Sequence, residues 1–88
     1  MTARLGGDVA AMRRVAAQLR SDAAKVRSLR AELAAGVGRA WWQGADADRF
    51  RSAWSSDYDP QLRRVASELE SAAERLVIEA SRQEAASA

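Results

Sequence analysis

The sequence contains neither cysteine nor histidine. Disulfides and thiolate ligands are thereby excluded, as are the common zinc sites, Cys–His and Ser–His nucleophile pairs, and the usual general base at neutral pH. No apolar run approaches the ~20 residues needed to cross a bilayer, so stable membrane insertion is not expected. The opening residues Met1 to Asp8 hold no apolar core of signal-peptide type, which argues against the general secretory route and a cleavable leader. Charge of one sign is also lacking. Fourteen basic and twelve acidic residues leave a net of +2, and they alternate along the chain without a like-charged block. Nucleic-acid binding needs clustered lysine and arginine, so it is not expected.

What remains is a short chain of helix formers. At 88 residues it holds one domain, 1–88, and a chain of that size is marginal alone without a metal, a disulfide or a partner. There is one proline, and the glycines beyond the N-terminal pair fall at Gly36, Gly38 and Gly44. Alanine, arginine, leucine and glutamate dominate the rest. The natural reading is all-α: helix one over about 8–38, a turn over about 39–45, and helix two over about 46–82.

Asp8 is a candidate N-cap after Gly6-Gly7. Apolar residues step by three and four through Leu5, Val9, Met12, Ala16, Leu19, Ala23, Val26, Leu33 and Val37, with Arg30 as the polar exception. Val15 and Leu29 widen the stripe to about three positions in seven, which suits a bundle better than a narrow seam. Arg13, Arg14, Arg20, Lys25, Arg27 and Glu32 form the opposite face, read as wetted surface. The second stripe runs Ala47, Phe50, Trp54, Tyr58, Leu62, Val65, Leu69, Ala72, Leu76 and Ala80. Its three consecutive steps of four, Phe50 to Leu62, shift the stripe as a stutter does. Pro60 lies inside that stretch and cannot donate a backbone hydrogen bond, which predicts a kinked continuous helix; a break with Asp59 as a fresh N-cap is the alternative. Residues after Arg82 have no apolar anchor and are expected to fray. The stripes are broader than the strip where two helices meet. An antiparallel hairpin therefore keeps apolar surface on one side, and pairing two hairpins into a dimeric four-helix bundle covers it. The expected core is Leu19, Val26, Leu33, Phe50, Trp54, Leu62, Val65, Leu69 and Leu76.

Between the stripes the chain reads Gly36-Val37-Gly38-Arg39-Ala40-Trp41-Trp42-Gln43-Gly44. Gly44 suits a position where backbone dihedrals or close approach exclude a side chain. Trp42-Gln43-Gly44 is a W-x-G tripeptide at mid-chain between two amphipathic patterns, with Phe50 eight residues after Trp42 and Trp54 one turn later. Over nearly its whole length this arrangement resembles the WXG100 family. The resemblance implies a helical hairpin with W-x-G in the turn, paired antiparallel as a four-helix dimer and exported folded by type VII (ESX) secretion. It implies that Trp42 and Gly44 are motif residues read by the export machinery, including its ATPase, with Phe50 at the early aromatic position. Trp41 is outside the motif: either one of the two adjacent tryptophans caps the hairpin core while the other packs loosely on the turn, or Trp41 is a partly exposed anchor for a partner. The family's C-terminal Y-x-x-x-D/E signal is absent, since the one tyrosine, Tyr58, has Leu62 four residues on. That tilts the expected pairing from a homodimer toward a heterodimer with a WXG100 paralogue that carries the signal. The expected location is cytoplasmic before export, then secreted or at the cell envelope.

No enzymatic activity and no cofactor are expected. Asp46, Asp48, Asp57 and Asp59 cluster near the start of helix two, but a helix N-terminus and a proline boundary explain them more simply than acid–base chemistry does. The competing functional class is a cytoplasmic helical-bundle adaptor unrelated to secretion.

Overall fold

The computed structural model describes residues 2–39 and 43–87, with side chains from residue 8 onward. Helix α1 spans Thr2–Arg39, α2 Ala45–Ala53 and α3 Asp59–Ser87, with one turn of π-helix, Trp54–Tyr58, joining α2 to α3. The described residues contain no strand. The chain doubles back into a hairpin of 65 × 17 × 13 Å. Its radius of gyration, 19.5 Å, exceeds the ~12 Å of a compact chain of this length.

Three ion pairs define how α1 lies on α3. The Arg13 guanidinium donates to both Glu84 oxygens at 2.9 and 3.0 Å, Arg27 to Glu70 at 2.6 Å, and Arg30 to Asp59 Oδ1 at 2.5 Å. Fourteen residues forward on α1, from Arg13 to Arg27, correspond to fourteen backward on α3, from Glu84 to Glu70, so the helices are antiparallel and unslipped. Stepping by sevens from Arg30 and Asp59 gives Ala23, Ala16 and Val9 on one helix, and Ala66, Ala73 and Ala80 on the other. These six residues, with Ala47 of α2, are the buried hydrophobic core, each at most 5% exposed. The helices thus meet along a seam of methyl groups, which permits close axial approach. Arg30, the polar exception in the α1 stripe, occupies a seam position and is neutralised by Asp59, which occupies the matching one.

The expected core was drawn for a dimeric bundle; within the single hairpin the buried layer is this seam. Ala66 and Ala73 are wholly buried, whereas Val65 and Ala72, placed on the stripe by the sequence reading, sit further out. Among the described residues no large side chain is fully buried. Arg13 and Arg27, read as wetted surface, bridge the helices.

The chain is helical through Pro60. Asp59 has helical dihedrals (φ −61°, ψ −47°), so it does not start a new helix as an N-cap. The Asp59 N–H donates to the Trp54 carbonyl five residues back. That wide π-type bond falls where the next residue, Pro60, has no N–H to offer. The inserted residue also re-phases the helix. Counting back in sevens from Asp59 leads to Ser52 and Ala45, both exposed, while the buried residue of α2 is Ala47. The steps of four from Phe50 to Leu62 are the imprint of this wider turn in the sequence.

Two boundaries move outward. Helix α1 runs through Gly6-Gly7 to Thr2, so Asp8 is an interior residue rather than a cap; extending a formed helix costs far less than nucleating one. Helix α3 continues past Arg82 to Ser87, because Glu84 is tied to Arg13 and Ala85-Ala86 favour helix.

Candidate interaction surface

The alanine seam divides the hairpin into two unlike faces. On a helix, the residue four after a seam position and the residue three after it flank the seam on opposite sides. The four-after residues are Arg13, Arg20 and Arg27 on α1, and Arg63, Glu70, Val77 and Glu84 on α3. Their ion pairs mark one face as polar. The three-after residues therefore share the other face: Met12, Leu19, Val26 and Leu33 from α1, and Leu62, Leu69 and Leu76 from α3. Beside them, one residue before each seam position, stand Val15 and Leu29, and Tyr58, Val65 and Ala72. Leu19, Val26, Leu62, Leu69 and Leu76 are half-buried. Leu33, Val65, Val15 and Leu29 are exposed, Leu29 by 50%. One face of the hairpin is thus a largely apolar strip that the other described residues do not cover.

At the turn end the strip continues into aromatics. Phe50 and Tyr58 span the π-turn with ring centroids 6.4 Å apart and planes tilted by 37°, inside the range of favourable ring pairs. Both are exposed, and Trp54 between them is half-buried. Gly44 precedes α2 with φ 105° and ψ −179°, a conformation nearly restricted to glycine, and its carbonyl accepts from the Asp48 N–H at 3.1 Å. Among the described residues no atom lies within 4 Å of a Cβ built there. Of the two reasons expected for a glycine, the backbone dihedral is the operative one. Trp41 and Trp42 lie outside the described residues.

The acidic group near the start of α2 is dispersed. Asp46 pairs with Arg49 one turn on, and Asp59 is held by Arg30 and by Arg63 at 2.9 Å. Those two guanidinium groups, Arg30 first, hold the Asp59 carboxyl below the usual carboxylate range. Hydrogen bonds from Arg27 and Arg13 lower Glu70 and Glu84 in the same way. The described residues contain no group of three or more acidic, histidine or cysteine side chains able to hold a metal ion. None of their helices is long and apolar enough to cross a membrane.

The surface area carries the same message as the exposed strip. The chain exposes 6379 Å², against about 5,000 Å² for a compact folded monomer of its mass. The excess of roughly 1,300 Å² is larger than the ~800 Å² that each partner contributes to a standard interface. Among the described residues, the apolar face with its aromatic end is therefore the candidate interaction surface. Comparison with family models, with curated proteins and with solved structures returned no match for this chain.

Proposed function

We propose that this chain is a non-enzymatic interaction module of WXG100 type, which pairs through its apolar face with a second helical hairpin into a four-helix bundle and travels through a type VII secretion system. The observation that carries the reading is Gly44, a glycine in a glycine-only conformation at the head of α2, two residues after Trp42 in a W-x-G tripeptide. The unpartnered strip along the hairpin supports pairing, because burying ~800 Å² of it at about 25 cal/mol per Å² offers substantial association energy before ordering costs. In this reading Trp42, Gly44 and Trp41 contribute to the surface read by the secretion ATPase, while the leucines and Val65 form the bundle core.

The test separates secretion from a plain adaptor role. Trp42→Phe retains much of the apolar area, and circular dichroism with native mass would first establish that folding and pairing survive. Export of wild type and variant is then compared in host cells with and without an intact type VII system. The expected outcome is wild-type protein in the medium only when the system is intact, with the folded variant retained inside. Wild-type protein that never leaves the cell, or export indifferent to both changes, would replace this reading with the cytoplasmic adaptor.

A further inference from the structure

The π-turn leaves α2 one residue out of step with α3. Counting eight residues back from Asp59 across the wide turn, rather than seven, gives Arg51, which is half-buried, and seven more give Gly44. Relative to those two positions, Trp54 and Ala47 fall in the column of Leu62, and Phe50 falls in the column of Tyr58. The ring contact between Phe50 and Tyr58 agrees with a shared column, as does the burial of Ala47. The π-turn thus brings the aromatics onto the apolar face. An α-helical turn in its place would rotate α2 by about 100° about its axis. Ala45 and Ser52 would then continue the seam column, with side chains small enough to follow Ala66 and Ala73. Asp48 and Ser55 would enter the column of Leu62, and Arg51 that of Tyr58. The same segment therefore has two seats. One makes the turn end of the face aromatic, and the other makes it polar.

We propose that Pro60 decides between these two seats, which makes the π-turn a phase-setting device for the aromatic end. In an α-helical turn the Pro60 ring presses on the carbonyl of Ser56, four residues back. The wide turn relieves that contact, and the Asp59 N–H reaches the Trp54 carbonyl instead. The Ser56 hydroxyl donates to the Ser52 carbonyl at 2.8 Å, so a side chain also bridges the widened segment. A single π-turn inside an α-helix is uncommon and is found mostly where function uses it. Little else in the free hairpin holds α2 in its present seat, since Phe50 and Tyr58 are both exposed there. The second seat already has small residues at the two positions that enter the seam column. Without the Pro60 ring, α2 turns and takes Phe50 and Trp54 off the face, while the seam between α1 and α3 stays as it is. The inference concerns the fold of the chain alone and does not depend on what covers the face.

The chain contains no cysteine, so single introduced thiols report which seat α2 occupies. Ala47 is buried and Ser52 exposed in the present seat, and the second seat exposes the first and places the second in the seam column. Cysteine packs as a small hydrophobe, so Ala47→Cys and Ser52→Cys perturb little. Labelling by a water-soluble maleimide, which follows access to the thiol, would be timed for each probe in the full chain, with Pro60 and with Pro60→Ala. With Pro60, Ser52→Cys should label at least about tenfold faster than Ala47→Cys, and with Pro60→Ala the order should invert. A third background combines Pro60→Ala with removal of Ser56. It makes the turn α-helical without the extra residue, so α2 keeps its present seat and Ala47→Cys is again the slow probe. Any pattern but inversion in Pro60→Ala overturns the inference: an unchanged order means that α2 has one seat, and two fast thiols mean that it has lost its seat rather than exchanged it. Inversion that persists after Ser56 is removed overturns it as well, because the extra residue then does not set the rotation.

Discussion

Replacing Ala73 by leucine tests the seam directly. Ala73 has no exposed surface and lies in the seam with Ala16, which is 1% exposed. Leucine adds three carbons where no space exists. Helix axes pack 8–10 Å apart according to the side chains between them, and a methyl seam belongs at the short end of that range. Admitting the new side chain requires the axes to part by about 1 Å or more. A gap of that order forfeits a quarter to a half of each van der Waals contact in the adjoining stretch of the seam. Overpacking of this kind costs typically ~1–3 kcal/mol. For a domain below about 100 residues that lowers the melting temperature by roughly 4 °C or more. The control is Ala17→Leu, next to the seam residue Ala16 but exposed, where the change should stay within about 0.5 kcal/mol. Urea melts followed by far-UV circular dichroism, at two protein concentrations so that association is accounted for, give both numbers. Equal midpoints for Ala73→Leu and Ala17→Leu would refute the alanine seam.

Other predictions follow from single features. Gly36 lies inside α1 with open space where a Cβ would stand, so Gly36→Ala should stabilise by about 0.5–1 kcal/mol, seen as a higher urea midpoint. Gly44→Ala should do the reverse, costing ~1–3 kcal/mol through its φ of 105° rather than through a clash; thermal melts would give the sign. Asp59, Glu70 and Glu84 all have lowered folded-state pKa values, so their contribution is fully present above the ordinary carboxylate range and is lost as pH falls through the depressed values. Acid melts should therefore weaken below about pH 4, and Asp59→Asn should flatten part of that fall; an unchanged profile would remove Asp59 from the account. In the isolated hairpin Leu69→Ala should cost less than the ~2–5 kcal/mol of a fully buried leucine, and the cost should rise once a partner covers the apolar face.

The helical class and the hairpin were legible for identifiable reasons, whereas near Pro60 the sequence reading expected a kink and the structure has a π-turn. Apolar periodicity exposed both long helices, and the run of fours ending beside Pro60 marked where the helix had to widen. The seam was harder to read. A hydrophobicity pattern weights leucine and valine over alanine, so on α3 the stripe was centred on Leu62, Val65, Leu69 and Leu76, one column away from the buried Ala66 and Ala73. The missed signal was the seven-residue spacing of Ala16 with Ala23 and of Ala66, Ala73 and Ala80, together with opposite charges at the interrupted positions, Arg30 and Asp59. The interhelix roles of Arg13 and Arg27 were not legible at all, because a surface arginine and a bridging one look the same until the register is known. For the candidate face, the sequence supplied the expectation that one side of the hairpin stays uncovered, and the structure supplied which side.

A row of methyl groups has a further property: it is nearly the same at every seventh residue, so shape alone distinguishes poorly between correct alignment and a slide by one heptad. The charges break that degeneracy. Sliding one way sets Arg27 against Arg63; sliding the other leaves Arg27 beside Val77 and Arg30 beside Ala66. In either direction Arg30 and Asp59 lose each other. The interhelix ion pairs thus serve less to hold the hairpin shut than to tell it where to stop, encoding alignment in charge where the packing repeats itself.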